Sequence, residues 1–333
     1  MVLFGVHWAN RALAQNEASQ ALPQEVLVNL VKPSVVRIAE HVTGTAKIPS
    51  IKVDVRSGLV AVLPDEPPIE IAVDEYLTGS GFVVHPDGYI ATNAHVVSPE
   101  TVKLMLASES ALSALFENAL LLSDEEMQQF LQSDEEEDFS KTVTKYVIEH
   151  SVFELEHRVV VLKPGSDKRR IAGLLDEGYP AETVYVNSAF ADDERDIALL
   201  KITEPDLPAV ALGRSEHFSV GKRSFIFGFP ATAELNRARA SEATFTQGVV
   251  SAIKSSTRGD FNIFQTDAKV SEGSSGGPLI DDTGRVAGMV TFQTDEFNRV
   301  TGDNFAFALP IEMVIQAMEE VRITPQVGRY GAL

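Results

Sequence analysis

Apolar positions along this chain switch between a helical spacing and a strand alternation, and the switches mark out its elements. Residues 24–31 (QEVLVNLV) carry apolar side chains at helical spacing, with Pro33 just beyond to end the helix. Residues 34–42 (SVVRIAEHV) are rich in β-branched residues, and 43–77 mix Gly, Pro and acids with short runs such as IKVDV, LVAVL and IEIAV. That mixture predicts a long hairpin-like excursion. GSGFVVHPDGYIATNAHVV at 79–97 predicts a hairpin turning at His85-Pro86-Asp87-Gly88, where Gly supplies the positive φ of the turn.

The period then becomes helical. Ser98-Pro99-Glu100 pairs a capping side chain with proline at the first helical position, and Ser123 and Ser133 each open a capping-box pattern. Leu115, Phe116, Ala119, Leu122, Met127, Phe130 and Leu131 repeat at helical spacing through this segment. Residues 98–156 therefore predict a mainly helical insertion, with the acidic runs SDEE and SDEEED on its polar side. The acids either solvate that face or recruit basic partners or a metal. From 157 onward strand alternation returns in HRVVVL, TVYV, IALLKI, SFIFGF, TFTQGVVSAI, FNIFQTDA, RVAGMVTFQT and NFAFALP, with a basic turn (KPGSDKRR) after the first. Short strands at regular intervals predict an all-β sandwich or barrel pair. IEMVIQAMEEV at 311–321 predicts a closing helix.

Composition narrows the chemistry. A formal charge of −20 disfavours nucleic acid or an anionic membrane as partner. Cysteine is absent, which removes disulfides, thiolate metal sites and a cysteine nucleophile together. No run reaches the ~20 apolar residues of a spanning helix. The start, MVLFGVHWANRALAQ, has two open readings: the tail of an export signal, or an amphipathic N-terminal segment.

The stretch SEGSSGGPLI at 271–280 holds three serines among glycines and fits the loose pattern G-x-S-x-G. In α/β-hydrolases that pattern is followed by an acid and then a histidine. The seven histidines here stand at 7, 41, 85, 95, 150, 157 and 217, all before Ser275, so that order is excluded. A serine nucleophile needs an imidazole to take its proton and a carboxylate to hold the imidazole's tautomer. His95 in ATNAHVV and Asp196 at the head of DIALLKI supply both upstream. Alone, each has a plain structural reading: a half-buried histidine, a strand-entry acid, a glycine turn. Together they stand in the order His, Asp, Ser of the chymotrypsin-type design.

On these stretches the sequence resembles the trypsin-like serine proteases of the HtrA/Deg type, over about residues 30–100 and 157–322. The successive matches are TGSGFVVHPDGYIATNAHVV, DIALLKI, QGVVSAI, QTDAKVSEGSSGGPLI, GRVAGM and NFAFALP. The resemblance implies an all-β, chymotrypsin-like fold of two six-stranded barrels, with His95 and Asp196 on the first and Ser275 on the second. It implies a serine endopeptidase acting on unfolded or extended polypeptide, without cofactor or metal. Ser275 is the implied nucleophile because glycine lies two before it and Gly276-Gly277 directly after. His95 is the implied base, Asp196 its orienter, and the loop Gly273-Ser274-Ser275 the oxyanion hole, with the Gly273 and Ser275 amides as donors. The other class left open is a binding scaffold on a protease fold, its site inactive or occluded by the insertion.

Three features depart from the family pattern. The His95-to-Asp196 gap is lengthened by the insertion, and ITPQVGRYGAL resembles the entry to a PDZ domain, which is either naturally lacking or cut off by truncation. Lys269 stands on the expected wall of the substrate pocket, with Phe305 and Phe307 opposite. An apolar pocket favours small aliphatic side chains; a Lys269 ammonium pointing inward would favour acidic ones instead. The domain reading is an N-terminal segment at 1–24, a first barrel over 25–205 with its insertion, a second barrel and helix over 206–322, and a tail at 323–333. The resemblance adds an extracytoplasmic location and a homo-trimer assembled through residues 1–24.

Overall fold

The computed structural model describes residues 21–54, 59–119, 135–162, 178–187, 189–230, 242–256, 259–291 and 305–325, with positions 57, 175 and 176. Residues 1–20 and 326–333, the helix starts at Ser123 and Ser133, and the basic turn at 163–170 lie outside these. So do the side chains of Phe116, Ala119, Leu122, Met127, Phe130 and Leu131.

Helix α1 (Gln24–Val31) ends where Pro33 stands, in a 3₁₀ turn over Lys32–Ser34. Strand β1 (Val35–Ile48) then runs antiparallel to β4 (Ile69–His85), from Val35 opposite Phe82 to Ile48 opposite Ile69. Between them β2 (Ile51–Asp54) and β3 (Leu59–Val62) form a small hairpin. This is the predicted excursion. Gly88, at φ +92°, makes the turn from β4 into β5 (Tyr89–Thr92), its amide bonded to the His85 carbonyl at 3.1 Å.

The insertion holds helices α2 (Pro99–Ala119) and α3 (Glu135–His150). Val102, Ala107, Ala111 and Leu115 of α2 pack with Val143 and Val147 of α3. That stripe closes on Val42, Ala46, Ile48 and Val73, where β1 and β4 extend past the barrel. Strand β6 (Val152–Leu162) starts five residues before the predicted return of strand structure. Its first residues alternate Phe153 and Leu155 against the insertion core with exposed Glu154 and Glu156, so the acids belong to a strand face.

The first sheet runs β7-β6-β1-β4-β5-β9-β8, with β7 (Tyr179–Pro180), β8 (Glu182–Val186) and β9 (Ala198–Lys201). By order it is open and seven-stranded. Yet β7 and β8 are one stretch of chain interrupted at Ala181, whose amide bonds the Val159 carbonyl of β6 at 3.0 Å. The first part of that stretch pairs with β6 and the second with β9, so a single broken strand joins the two edges. Counted so, the first barrel has six strands, as the resemblance implies. A short helix α4 (Phe190–Asp193) precedes β9.

The second barrel is closed, in the order β10-β11-β12-β15-β14-β13. Its strands are β10 (Arg223–Gly228), β11 (Thr244–Ser255), β12 (Asn262–Thr266), β13 (Pro278–Ile280), β14 (Val286–Thr291) and β15 (Ala306–Pro310). Helix α5 (Ile311–Glu320) follows directly. The two barrels share a core. Val35, Phe82 and Leu199 of the first meet Phe225, Phe227, Met289 and Leu309 of the second. Leu27 and Val31 of α1 and Val314 and Met318 of α5 complete that cluster, so the first and last of the described helices seal the junction.

Candidate active site

The register of β5 against β9 brings the first two candidate residues together. Thr92 lies opposite Ala198, so the chain leaving β5 through Asn93 passes the residues entering β9. His95 sits there in a 3₁₀ turn over Ala94–Val96, beside Asp196. Two bonds join them: His95 Nδ1 to Asp196 Oδ2 at 2.6 Å, and the His95 amide to Asp196 Oδ1 at 2.9 Å. The Asn93 side chain donates to the Asp196 carbonyl at 2.7 Å, and the Thr101 hydroxyl, in the first turn of α2, donates to the His95 carbonyl at 2.8 Å. The insertion is thus tied to the main chain of His95.

A third donor reaches Asp196 from the other barrel. Thr291, at the end of β14, gives its hydroxyl to Asp196 Oδ2 at 2.9 Å. Burial alone would raise the Asp196 pKa, but the His95 charge and these donated bonds outweigh it, and the carboxyl is held below its usual range. An ionised Asp196 accepting from Nδ1 keeps that nitrogen protonated and leaves Nε2 as the basic one. For His95, burial depresses the pKa, while the Asp196 charge and hydrogen bond raise it; the net direction is upward. A base must be neutral, so kcat/KM is expected to rise with pH through a midpoint above the ordinary histidine value of about 6.5. A pH–rate profile of a peptide substrate checks this; a midpoint at or below that value contradicts the paired geometry.

Residues 271–277 form the turn facing this pair. Gly273 has φ +88° and is third of four in a turn closed by Ser274 N–H to Ser271 C=O at 2.9 Å. A side chain is disfavoured at that φ, which is the value a type II turn requires. Of the three loop residues, Ser274 therefore has its amide committed to the turn and is not a free donor. Among the described residues neither the Gly273 nor the Ser275 amide is hydrogen-bonded. A Cβ at Gly276 (φ +83°) would lie 2.1 Å from the Ser80 carbonyl oxygen, so the loop seats directly on β4. Ser275 is buried, at 4% exposure, and among the described residues its hydroxyl has no hydrogen bond, to His95 or otherwise.

The substrate-wall residues are spread out. Lys269 is exposed, with no partner among the described residues. Phe305 is 38% exposed, whereas Phe307 packs against the shared core with the Lys254 ammonium 5.6 Å from its ring centre. Ala306 and Ala308 between and after them face the barrel interior. Among the described residues, no cluster of three or more His, Asp or Glu side chains is placed to hold a metal, and no helix is long and apolar enough to cross a membrane. Sequence reasoning missed Thr291, Thr101 and Asn93. Asn93 was in view near His95, but a threonine well beyond Ser275 in sequence carries no local signal.

The trypsin-like peptidase domain family matches residues 79–289, a span containing His95, Asp196 and Ser275. A probable periplasmic serine endoprotease, DegP-like, from Ectopseudomonas mendocina is 32% identical over 142 residues, covering 42% of this chain and 28% of that protein. A protein of the same description from Chlamydia pneumoniae is 28% identical over 258 residues, covering 77% of this chain and 36% of that one. The chain thus spans about a third of the length of these relatives. Among solved structures, the HtrA-type protease AlgW with decapeptide aligns over 90% of this chain and 67% of its own at a TM-score of 0.47 and 18% identity. The chain belongs to the trypsin-like peptidase family.

Proposed function

We propose that this protein is a serine endopeptidase that cleaves peptide bonds in unfolded or extended polypeptides. The observation that supports it most is the convergence of a doubly bonded His95–Asp196 pair on a turn with two unengaged amides. Ser275 Oγ attacks the scissile carbonyl carbon as His95 Nε2 takes the hydroxyl proton. The carbonyl oxygen gathers negative charge and is met by the amides of Gly273 and Ser275, a stabilisation of about 3–4 kcal/mol per donor. His95 then returns its proton to the leaving amine, and water repeats the sequence on the acyl-enzyme. Asp196 stays ionised throughout. A fluorophosphonate probe, which reacts only with an activated serine, is expected to label Ser275 alone. A folded protein that stays unlabelled would leave the occluded-scaffold reading in its place.

For the pocket we propose that Lys269 turns to solvent and that small aliphatic side chains precede the cleaved bond. The exposure of Lys269 supports this, since a long cationic side chain keeps its head in water. In a peptide library, cleavage after Val and Ala should exceed cleavage after Glu and Lys; a preference for Glu places the ammonium in the pocket. The relatives are named periplasmic, which supports a location outside the cytoplasm. Trimeric assembly through residues 1–24 belongs to the same reading, and a solution mass by light scattering decides it.

A further inference from the structure

Ser80 lies within β4, in the first barrel, with 0% of its surface exposed. A buried hydroxyl is unfavourable unless it is paired, and this one is paired twice. It donates to the Gly273 carbonyl at 2.6 Å and accepts from the Phe229 amide at 2.9 Å. Both partners belong to the second half of the chain. The Ser80 amide adds a third bond, to the Ser275 carbonyl at 2.8 Å. Its own carbonyl accepts from the Thr92 hydroxyl at 2.8 Å, which fixes the residue within its own barrel.

The consequence appears when every peptide of the loop is followed. The carbonyl of Ser274 accepts from the Gly277 amide at 3.0 Å, and the Gly276 amide donates to Val290 at 2.8 Å. The two free amides, of Gly273 and Ser275, flank the peptide joining residues 273 and 274. An uncompensated change in ψ of Gly273 or φ of Ser274, the torsions on either side of that peptide, would swing one donor away from the other. Its N–H is held by Ser271 and its C=O by the Ser80 hydroxyl. The barrels approach closely at this point: a Cβ at Gly228 would lie 2.9 Å from Ser80 Oγ.

We propose that Ser80 is a positioning residue for the oxyanion hole, holding the 273–274 peptide so that both flanking amides aim at one point. It acts through the loop and does not touch substrate. This rests on Ser275 being the nucleophile, so the test is read both with and without turnover.

In Ser80→Ala, kcat on a peptide amide is expected to fall about 10- to 100-fold, less than the loss of a whole donor. KM should stay within about threefold, because ground-state contacts are untouched. A peptidyl aldehyde, which forms an oxyanion on Ser275, should lose affinity by the same factor as kcat, while a product peptide binds as before. Ser80→Cys leaves no cavity but offers a poor donor on a slightly larger side chain; it should behave like Ser80→Ala, which separates loss of the bond from a cavity. Amide hydrogen exchange over 271–277 should quicken in both variants and stay unchanged over 262–266. A loss carried by KM, an unchanged kcat, or unchanged exchange in the loop would each overturn the proposal. Should the parent protein resist phosphonate labelling, its proposed activity fails. The exchange comparison on the same protein still decides the role of Ser80.

Discussion

Replacing Ser275 by Ala should lower kcat by about 10⁶-fold, the loss found when the serine of such a triad is removed. What survives is the rate supplied by the loop amides and by substrate binding. The change should leave the fold intact. Among the described residues the Ser275 hydroxyl carries no hydrogen bond, and the loop is held by main-chain bonds that alanine retains. A stability change within about 1 kcal/mol is therefore expected, and KM for a peptide should be unaltered. Turnover of an unfolded protein substrate by purified parent and variant is the measurement. Comparable turnover by the two would move the nucleophile elsewhere.

Asp196→Asn should cost about 10⁴-fold in kcat, as the same change does in the trypsin-type triad. The reason is visible in the donors. The His95 amide, His95 Nδ1 and the Thr291 hydroxyl all approach the carboxylate, and each needs an acceptor. An asparagine offers one oxygen and one NH₂. With the NH₂ facing Nδ1, the imidazole moves its proton to Nε2 and can no longer take one from Ser275. A second readout has a defined sign. The Asp196 charge is what lifts the His95 pKa against burial, so its removal should shift the remaining titration to lower pH. A loss below tenfold, or a midpoint that does not fall, would mean that Asp196 serves packing alone.

Much of the fold was legible because strand alternation is a local property. Val36, Ile38, Val83 and Ile90 point to one core because each strand repeats every two residues. The candidate residues His95, Asp196 and Ser275 were singled out for a different reason: each sits in a short stretch whose composition is unusual by itself. What escaped was of two kinds. Strand β6 was begun too late because its exposed face bears Glu154 and Glu156, which continue the acidic composition of the helices before it. The partners that tune the site escaped because they are distant in sequence. Ser80 lies 193 positions from Gly273, and Thr291 lies 95 from Asp196. A hydroxyl that bonds across such a separation looks like any strand serine or threonine until the barrels are packed. Ser274 shows the reverse case. It stands inside the proposed oxyanion loop, yet its amide closes the turn, which only φ at Gly273 and the Ser271 bond reveal.

The core shared between the barrels also bears on how the molecule comes apart. Leu27, near the start of the described chain, packs in one cluster with Met318, near its end, and with strands of both barrels. Neither lobe can shed the other without exposing that cluster, so heating or denaturant should melt both in a single cooperative transition. Such distant contacts also make folding slow, because long loops must close before the contacts form. The His95–Asp196 pair and the turn bearing Ser275 come together only after that last closure, so a partly folded chain has no assembled candidate site.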